Sequence, residues 1–307
     1  MEDVAAPRRA RLRLPAVSAE AFRWAAYAAL VALFLVTVSG ATVRLTGSGL
    51  GCDNWPRCGD TFLPEQGSHA YVEFGNRVIG FLVGLTTLGA ALAAWRARVP
   101  RGLFLLALGL PLLVLGQGIL GGITVIFELH PLIVMGHFLL SLAAVALALV
   151  LVVRTERWLR GGTAPPVPRW LRALALGLVP VALALVVSGA FVTAAGPHSG
   201  GADIERLGSL EDAVYVHVRV TAVFGVGFIA LLGALFRRRA LARTESVVAG
   251  LTLVVLVLQM VVGEVQWRNQ LPWWLVLLHV ALATLVWSGI VTLAALLRGT
   301  RPAQAPA

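Results

Sequence analysis

The sequence predicts an all-α, polytopic membrane protein: eight transmembrane helices forming two four-helix bundles related by a pseudo-twofold axis. Three observations predict this. Apolar residues fill 58% of the 307 positions and charged residues only 13%, against roughly 45–50% and about 25% in soluble domains. Eight apolar stretches reach the length of about 20 residues that a helix needs to cross a bilayer. The last four stretches repeat polar residues of the first four at matching places. The net charge of +10 does not imply a nucleic-acid partner, because the basic residues sit in short loops between apolar stretches.

The spans fall at about 24–44, 72–95, 102–126, 132–153, 170–194, 213–236, 245–267 and 273–297. Span one is too long for a signal-peptide core and no convincing cleavage site follows it. Residues 1–23, with Arg8, Arg9, Arg11 and Arg13, are expected to be a cytoplasmic segment, and Glu2, Asp3 and Glu20 argue against a transit peptide. Pro111 and Pro180 fall inside spans, which membrane helices tolerate. Of the 25 arginines, 19 lie at the N-terminus, the tail and the even-to-odd connections. By the positive-inside rule both termini are then cytoplasmic. The outward connections are 45–71, 127–131, 195–212 and 268–272. The Pro/Gly-rich stretch Gly161–Pro168 reads as the main linker. The expected division is a bundle over 24–160, a linker over 161–169, a second bundle over 170–298 and a cytoplasmic tail over 299–307.

The repeat is specific. Val38-Ser39-Gly40-Ala41 closes span one, and Val187-Ser188-Gly189-Ala190 recurs near the end of span five. Gln117 precedes Gly121 by four residues and His137 by twenty; Gln259, Gly263 and His279 keep both spacings. Each half has an even number of spans, so the halves run parallel and are related by an axis along the membrane normal.

His137, His217 and His279 lie inside spans four, six and eight. Each is about five to seven residues from the outer end, a shared depth of about 8–10 Å. The repeat sets Asn76 of span two opposite His217. Ionisable groups inside membranes are costly and usually functional. Two imidazoles on facing helices suit the iron of a heme. His217 and His279 form that pair in the second half. The first half offers only His137, because Asn76 is a poor iron ligand, so that pocket suits a substrate better than a fixed cofactor.

Other polar residues admit two readings each. Glu73 is one turn before Asn76: either an ion-pair partner of Arg77 or a working carboxylate in the first pocket. Its repeat position holds Val214 or Tyr215. Arg44, Arg77 and Arg219, near outer helix ends, either snorkel to the interface or bind heme propionates. Cys52 and Cys58, the only cysteines, lie in an outward loop, where a disulfide is expected; it is either a staple or a redox-active pair. His69, His130 and His198 read as solvated loop residues. Trp55, Trp267, Trp273 and Trp274 read as an interfacial belt.

The stretch Gly47–Cys58 with its two cysteines, the segment Glu73-Phe74-Gly75-Asn76-Arg77, and His137, His217 and His279 together resemble the heme A synthase family, in its Cys-pair-containing bacterial type. The resemblance runs from span one to span eight. It implies an enzyme of the bacterial plasma membrane that oxidises a methyl group of heme O to a formyl group, giving heme A for cytochrome oxidase maturation. It implies heme b as cofactor on His217 and His279, and substrate heme beside His137, Asn76 and Arg77, with Glu73 as the catalytic carboxylate. The implied partners are heme O, membrane lipid, an electron donor, heme O synthase and cytochrome oxidase assembly factors, with no nucleic acid. One departure stands out: the family has His where this chain has Asn76. Either His137 alone then holds the substrate, or another group such as His69 substitutes, or the activity differs. The rival readings are a membrane cytochrome b confined to electron transfer and a small transporter built on repeats.

Overall fold

A computed structural model describes residues 17–52, 54–60, 63–64, 67–162, 165–198, 200 and 204–298. It contains α1 (Ala19–Leu45), α2 (Ser68–Arg96), α3 (Arg101–Ile126), α4 (Pro131–Leu159), α5 (Arg169–Ala195), α6 (Leu210–Phe236), α7 (Arg243–Arg268) and α8 (Trp273–Leu297). All eight are long and apolar enough to cross a membrane, and the chain is a multi-pass membrane protein. Most of residues 1–23, the tail 299–307, Asp53 and linker residues 163–164 lie outside the described residues.

Several helices overrun the limits that apolarity alone suggests. α1 begins at Ala19, where the Ser18 hydroxyl accepts from the Ala21 N–H at 3.0 Å, an N-cap that satisfies one orphan donor. α4 runs to Leu159 through Glu156 and Arg157. α2 begins at Ser68, so His69 lies in its first turn and not in a loop. Hydropathy marks the stretch that lipid surrounds; caps and polar turns carry the helix beyond it.

The helices close two rings. α1 packs on α2, α2 on α3, α3 on α4 and α4 on α1; α5 to α8 repeat this order. The rings meet mainly along α4 and α8, flanked by α1 against α8 and α4 against α5. That seam fits a twofold axis passing between α4 and α8. Trp287 of α8 ties it, donating its indole N–H to the Leu142 carbonyl at 3.0 Å. The interior is rich in small residues: Ala26, Ala29, Ala90, Ala94, Ala144, Ala148, Ala175 and Ala249 are buried. Leu112, Leu115 and Val226 point outward. In lipid, close approach of backbones and van der Waals packing hold helices together, so small residues belong inside.

One end of the molecule carries the linker between α4 and α5. There the Arg157 guanidinium donates to the Leu296 and Arg298 carbonyls at 2.7 and 3.1 Å, filling orphan acceptors at the end of α8. The opposite end, with the disulfide, carries twin turns. Glu128 and Leu129 between α3 and α4, and Gln270 and Leu271 between α7 and α8, all adopt positive φ. Leu129 N–H reaches the Thr124 carbonyl at 2.8 Å and Leu271 N–H the Gln266 carbonyl at 2.7 Å. The repeat thus extends to a left-handed turn that non-glycine residues seldom adopt.

Candidate functional site

The repeated Ser-Gly and Gln-Gly elements of the odd helices meet the Asn or His of the even ones. A methyl group added at Gly189 would stand 3.1 Å from His217 Cε1, and one at Gly263 would stand 3.0 Å from His279 Cε1. At Gly121 it would be 3.4 Å from His137 Cε1, and at Gly40 4.0 Å from the Asn76 amide. Four glycines therefore seat four polar side chains.

In the second ring the imidazoles of His217 (α6) and His279 (α8) face each other. Their centroids are 6.5 Å apart, at 67° between planes. The Ser188 hydroxyl donates to the Leu185 carbonyl at 2.8 Å. Its one proton is then used, so at 2.9 Å it accepts from His217 Nδ1. His217 Nδ1 therefore carries the hydrogen and Nε2 keeps its lone pair. His279 Nε2 lies 2.9 Å from the Gln259 amide, while His279 Nδ1 and Gln259 Oε1 are buried without partners.

These features fit a shared metal. Two metal–imidazole bonds of about 2.0–2.1 Å, plus about 1.1 Å from each nitrogen to its ring centre, ask for roughly 6.3 Å between centroids. The Gln259 amide N–H is placed to donate to His279 Nε2 at 2.9 Å, which leaves Nδ1 as the unpartnered ring nitrogen. Such outer hydrogen bonds are what orient metal-binding imidazoles.

The first ring differs at each matching place. Ser39 donates to Asn76 Oδ1 at 2.7 Å, the counterpart of the Ser188–His217 bond, but an amide offers iron no imidazole. Gln117 donates to the His137 carbonyl at 3.0 Å and to Ser141 at 2.8 Å, so it holds backbone rather than ring. His137 Nδ1 is buried and unpartnered. Glu73 is buried, and both its oxygens are engaged: Oε1 with Arg77 at 2.5 Å and Oε2 with the Cys52 N–H at 2.8 Å.

Cys52 and Cys58 form a disulfide, packed against Ala70 and Phe74. Arg77 donates to the carbonyls of Asn54, Pro56 and Arg57 at 3.1, 3.2 and 2.7 Å. The loop therefore sits on α2, and Gly51 permits it: a methyl there would be 2.5 Å from the His69 carbonyl. Trp55 lies on α3, where a methyl at Gly122 would be 2.9 Å from its ring.

The sequence residues sort themselves by contact. Arg77 is a loop clamp and Glu73 its ion-pair partner. Arg219 donates to the Tyr215 carbonyl at 3.2 Å and lies over that ring. Arg44 has buried Nε and Nη2 atoms without partners. His69 Nδ1 is 2.8 Å from the Ser48 hydroxyl, and His198 Nε2 is 2.6 Å from the Leu271 carbonyl; neither reads any longer as a free loop side chain. His130 is exposed, at the N-cap of α4. The hydrogen-bonding roles of Ser39, Ser188 and Gln259 had one sequence signal, their recurrence beside the repeated glycines.

The COX15-CtaA family model, described as cytochrome oxidase assembly protein, matches residues 23–291. The chain belongs to this family. Relatives of the family named heme A synthase include those of Symbiobacterium thermophilum, 34% identical over 183 residues (56% of this chain and 59% of that one), and Geobacillus kaustophilus, 32% over 142 residues (44% of each). The Shewanella oneidensis protein of the same name is 34% identical over 153 residues, 43% of this chain and 45% of its own. The chain matches about half the length of these curated relatives.

Proposed function

We propose that this chain is a heme A synthase that oxidises a methyl group of heme O to the formyl group of heme A. The observation that carries the proposal is the half-buried His217–His279 pair, at a spacing suited to one iron. His217 and His279 would hold heme b, which supplies one-electron chemistry when bound. His137, Asn76 and Arg77 would border the substrate heme in the first ring. Ser188 keeps His217 Nε2 unprotonated, and the Gln259 amide orients His279. Glu73 acts on the substrate from a fixed position, because Arg77 and the Cys52 N–H hold both its oxygens.

The arginine asymmetry supports cytoplasmic termini and an outward-facing disulfide end in a bacterial plasma membrane. The two rings would act as units over 24–160 and 170–298, joined by the linker 161–169. An electron donor, heme O synthase and oxidase assembly factors are the partners this activity calls for.

The test is expression with a source of heme O, followed by heme extraction. Heme A or a hydroxylated form of heme O is expected. A purified protein with a Soret band but neither product would be an electron-transfer cytochrome instead, and absence of any Soret band would refute heme binding.

A further inference from the structure

We propose that Arg44 is an anion site, and that its ligand is a carboxylate group on the periphery of the porphyrin in the first ring. The inference rests on the heme reading above and assigns a residue to a part of the substrate other than its iron. Arg44 lies in the last turn of α1. Its Nε and Nη2 atoms are buried and have no hydrogen-bond partner. Among the described residues it forms no ion pair. The acidic group on the next helix, Glu73, is already bound to Arg77 and to the Cys52 N–H.

A guanidinium taken out of water without an anion is strongly disfavoured. Its planar fork is shaped for a carboxylate. The position of Arg44 says which carboxylate. Residues four apart share a helix face, so Arg44 follows Gly40, the residue that seats Asn76, about 6 Å nearer the disulfide end. Buried Gly200, from the connection between α5 and α6, covers it: a methyl there would be 4.0 Å from Arg44 Cγ. A porphyrin lying between Asn76 and His137 would bring its propionates toward this roofed guanidinium.

The repeat supplies the control. In the register set by Ser39/Ser188 and Gly40/Gly189, Arg44 matches Thr193, whose hydroxyl is satisfied by the Gly189 carbonyl at 3.1 Å. At this position, therefore, the cation belongs only to the ring that lacks the imidazole pair. A site short of one metal ligand gains from holding the periphery of its ligand instead. Among the other arginines at this end, Arg77 clamps the disulfide loop, Arg219 folds onto its own helix and Arg268 pairs with Glu264.

The experiment uses the full-length protein in detergent, carrying its second-ring heme, titrated with hemin and with hemin dimethyl ester, in which both carboxylates are blocked. Wild type should prefer hemin by roughly tenfold to a hundredfold, the range for hydrogen bonds to a charged group. Arg44→Met should abolish that preference and Arg44→Lys should keep part of it, with the second-ring heme spectrum unchanged as the check on folding. Equal binding of hemin and its ester by wild type overturns the assignment, as does an undiminished preference in Arg44→Met. Loss of co-purified phospholipid phosphorus in Arg44→Met, with hemin binding intact, would identify a lipid phosphate as the ligand and also overturn it. If Arg44→Met does not accumulate, wild type and Arg44→Lys decide. Absence of any second hemin site in wild type would overturn the substrate reading itself.

Discussion

The second ring brings two imidazoles to 6.5 Å between centroids, edge-on to one another, one fixed by Ser188 and the other beside Gln259. The first ring uses the same seats, the same serine and the same glutamine, yet holds one imidazole and one amide. It adds a buried carboxylate, an unpaired guanidinium and a disulfide loop. Duplication gave both rings one frame. Divergence left one with an imidazole pair and the other with one imidazole, an amide and added polar groups; on the proposed function the first keeps a cofactor and the second admits and releases a substrate.

The sharpest way to break this comparison is to remove an imidazole. His279→Ala or His217→Ala should eliminate or convert the low-spin heme signal, whereas His137→Ala should leave it in place; absorption spectra of the purified proteins check this. Glu73→Gln should lower heme A formation by about 10²- to 10⁴-fold, the range for a lost acid–base group, without loss of second-ring heme. Turnover near the wild-type level would reduce Glu73 to an anchor for the disulfide loop.

Asn76→His restores symmetry of side-chain type. A second low-spin heme per protein is expected by pyridine hemochrome and electron paramagnetic resonance, with slower product release. Alanine at the seating glycines should then produce a graded series. At Gly189 and Gly263, where a methyl would meet an imidazole at 3.1 and 3.0 Å, overpacking should cost about 1–3 kcal/mol and lower heme occupancy. Gly121→Ala should act weakly and Gly40→Ala hardly at all, in line with 3.4 and 4.0 Å. The smallest effect is expected for Ser188→Ala: loss of one hydrogen bond of about 1 kcal/mol, read as a shift of the heme midpoint potential. Ser39→Ala should leave that potential unchanged.

Much of this was readable from the chain. Hydropathy identified the eight spans because lipid imposes one length on every crossing segment. The Gln-to-His spacing exposed the duplication, and the missing first-ring imidazole was visible as Asn76. Helix ends were less legible: α1, α2 and α4 continue through polar turns, so His69 became helical. Arg44, Arg77 and Arg219 looked alike in sequence, each near the end of a span. They separate only by what lies beside them: loop carbonyls for Arg77, the Tyr215 ring for Arg219 and, among the described residues, no partner for Nε and Nη2 of Arg44.

By itself, then, the sequence determined the membrane class, the number of crossings, the repeat and which residue types could meet iron. These follow from composition and spacing, which are properties along the chain. Only the tertiary structure decided that His217 and His279 face one another, that Ser188 sets the protonated nitrogen, and that Glu73 is bound to the disulfide loop. Those facts depend on the packing of α5 against α6, of α5 and α7 against α8, and of a loop against α2. Contacts between distant segments are selected by close approach of whole helices, and no local pattern specifies them.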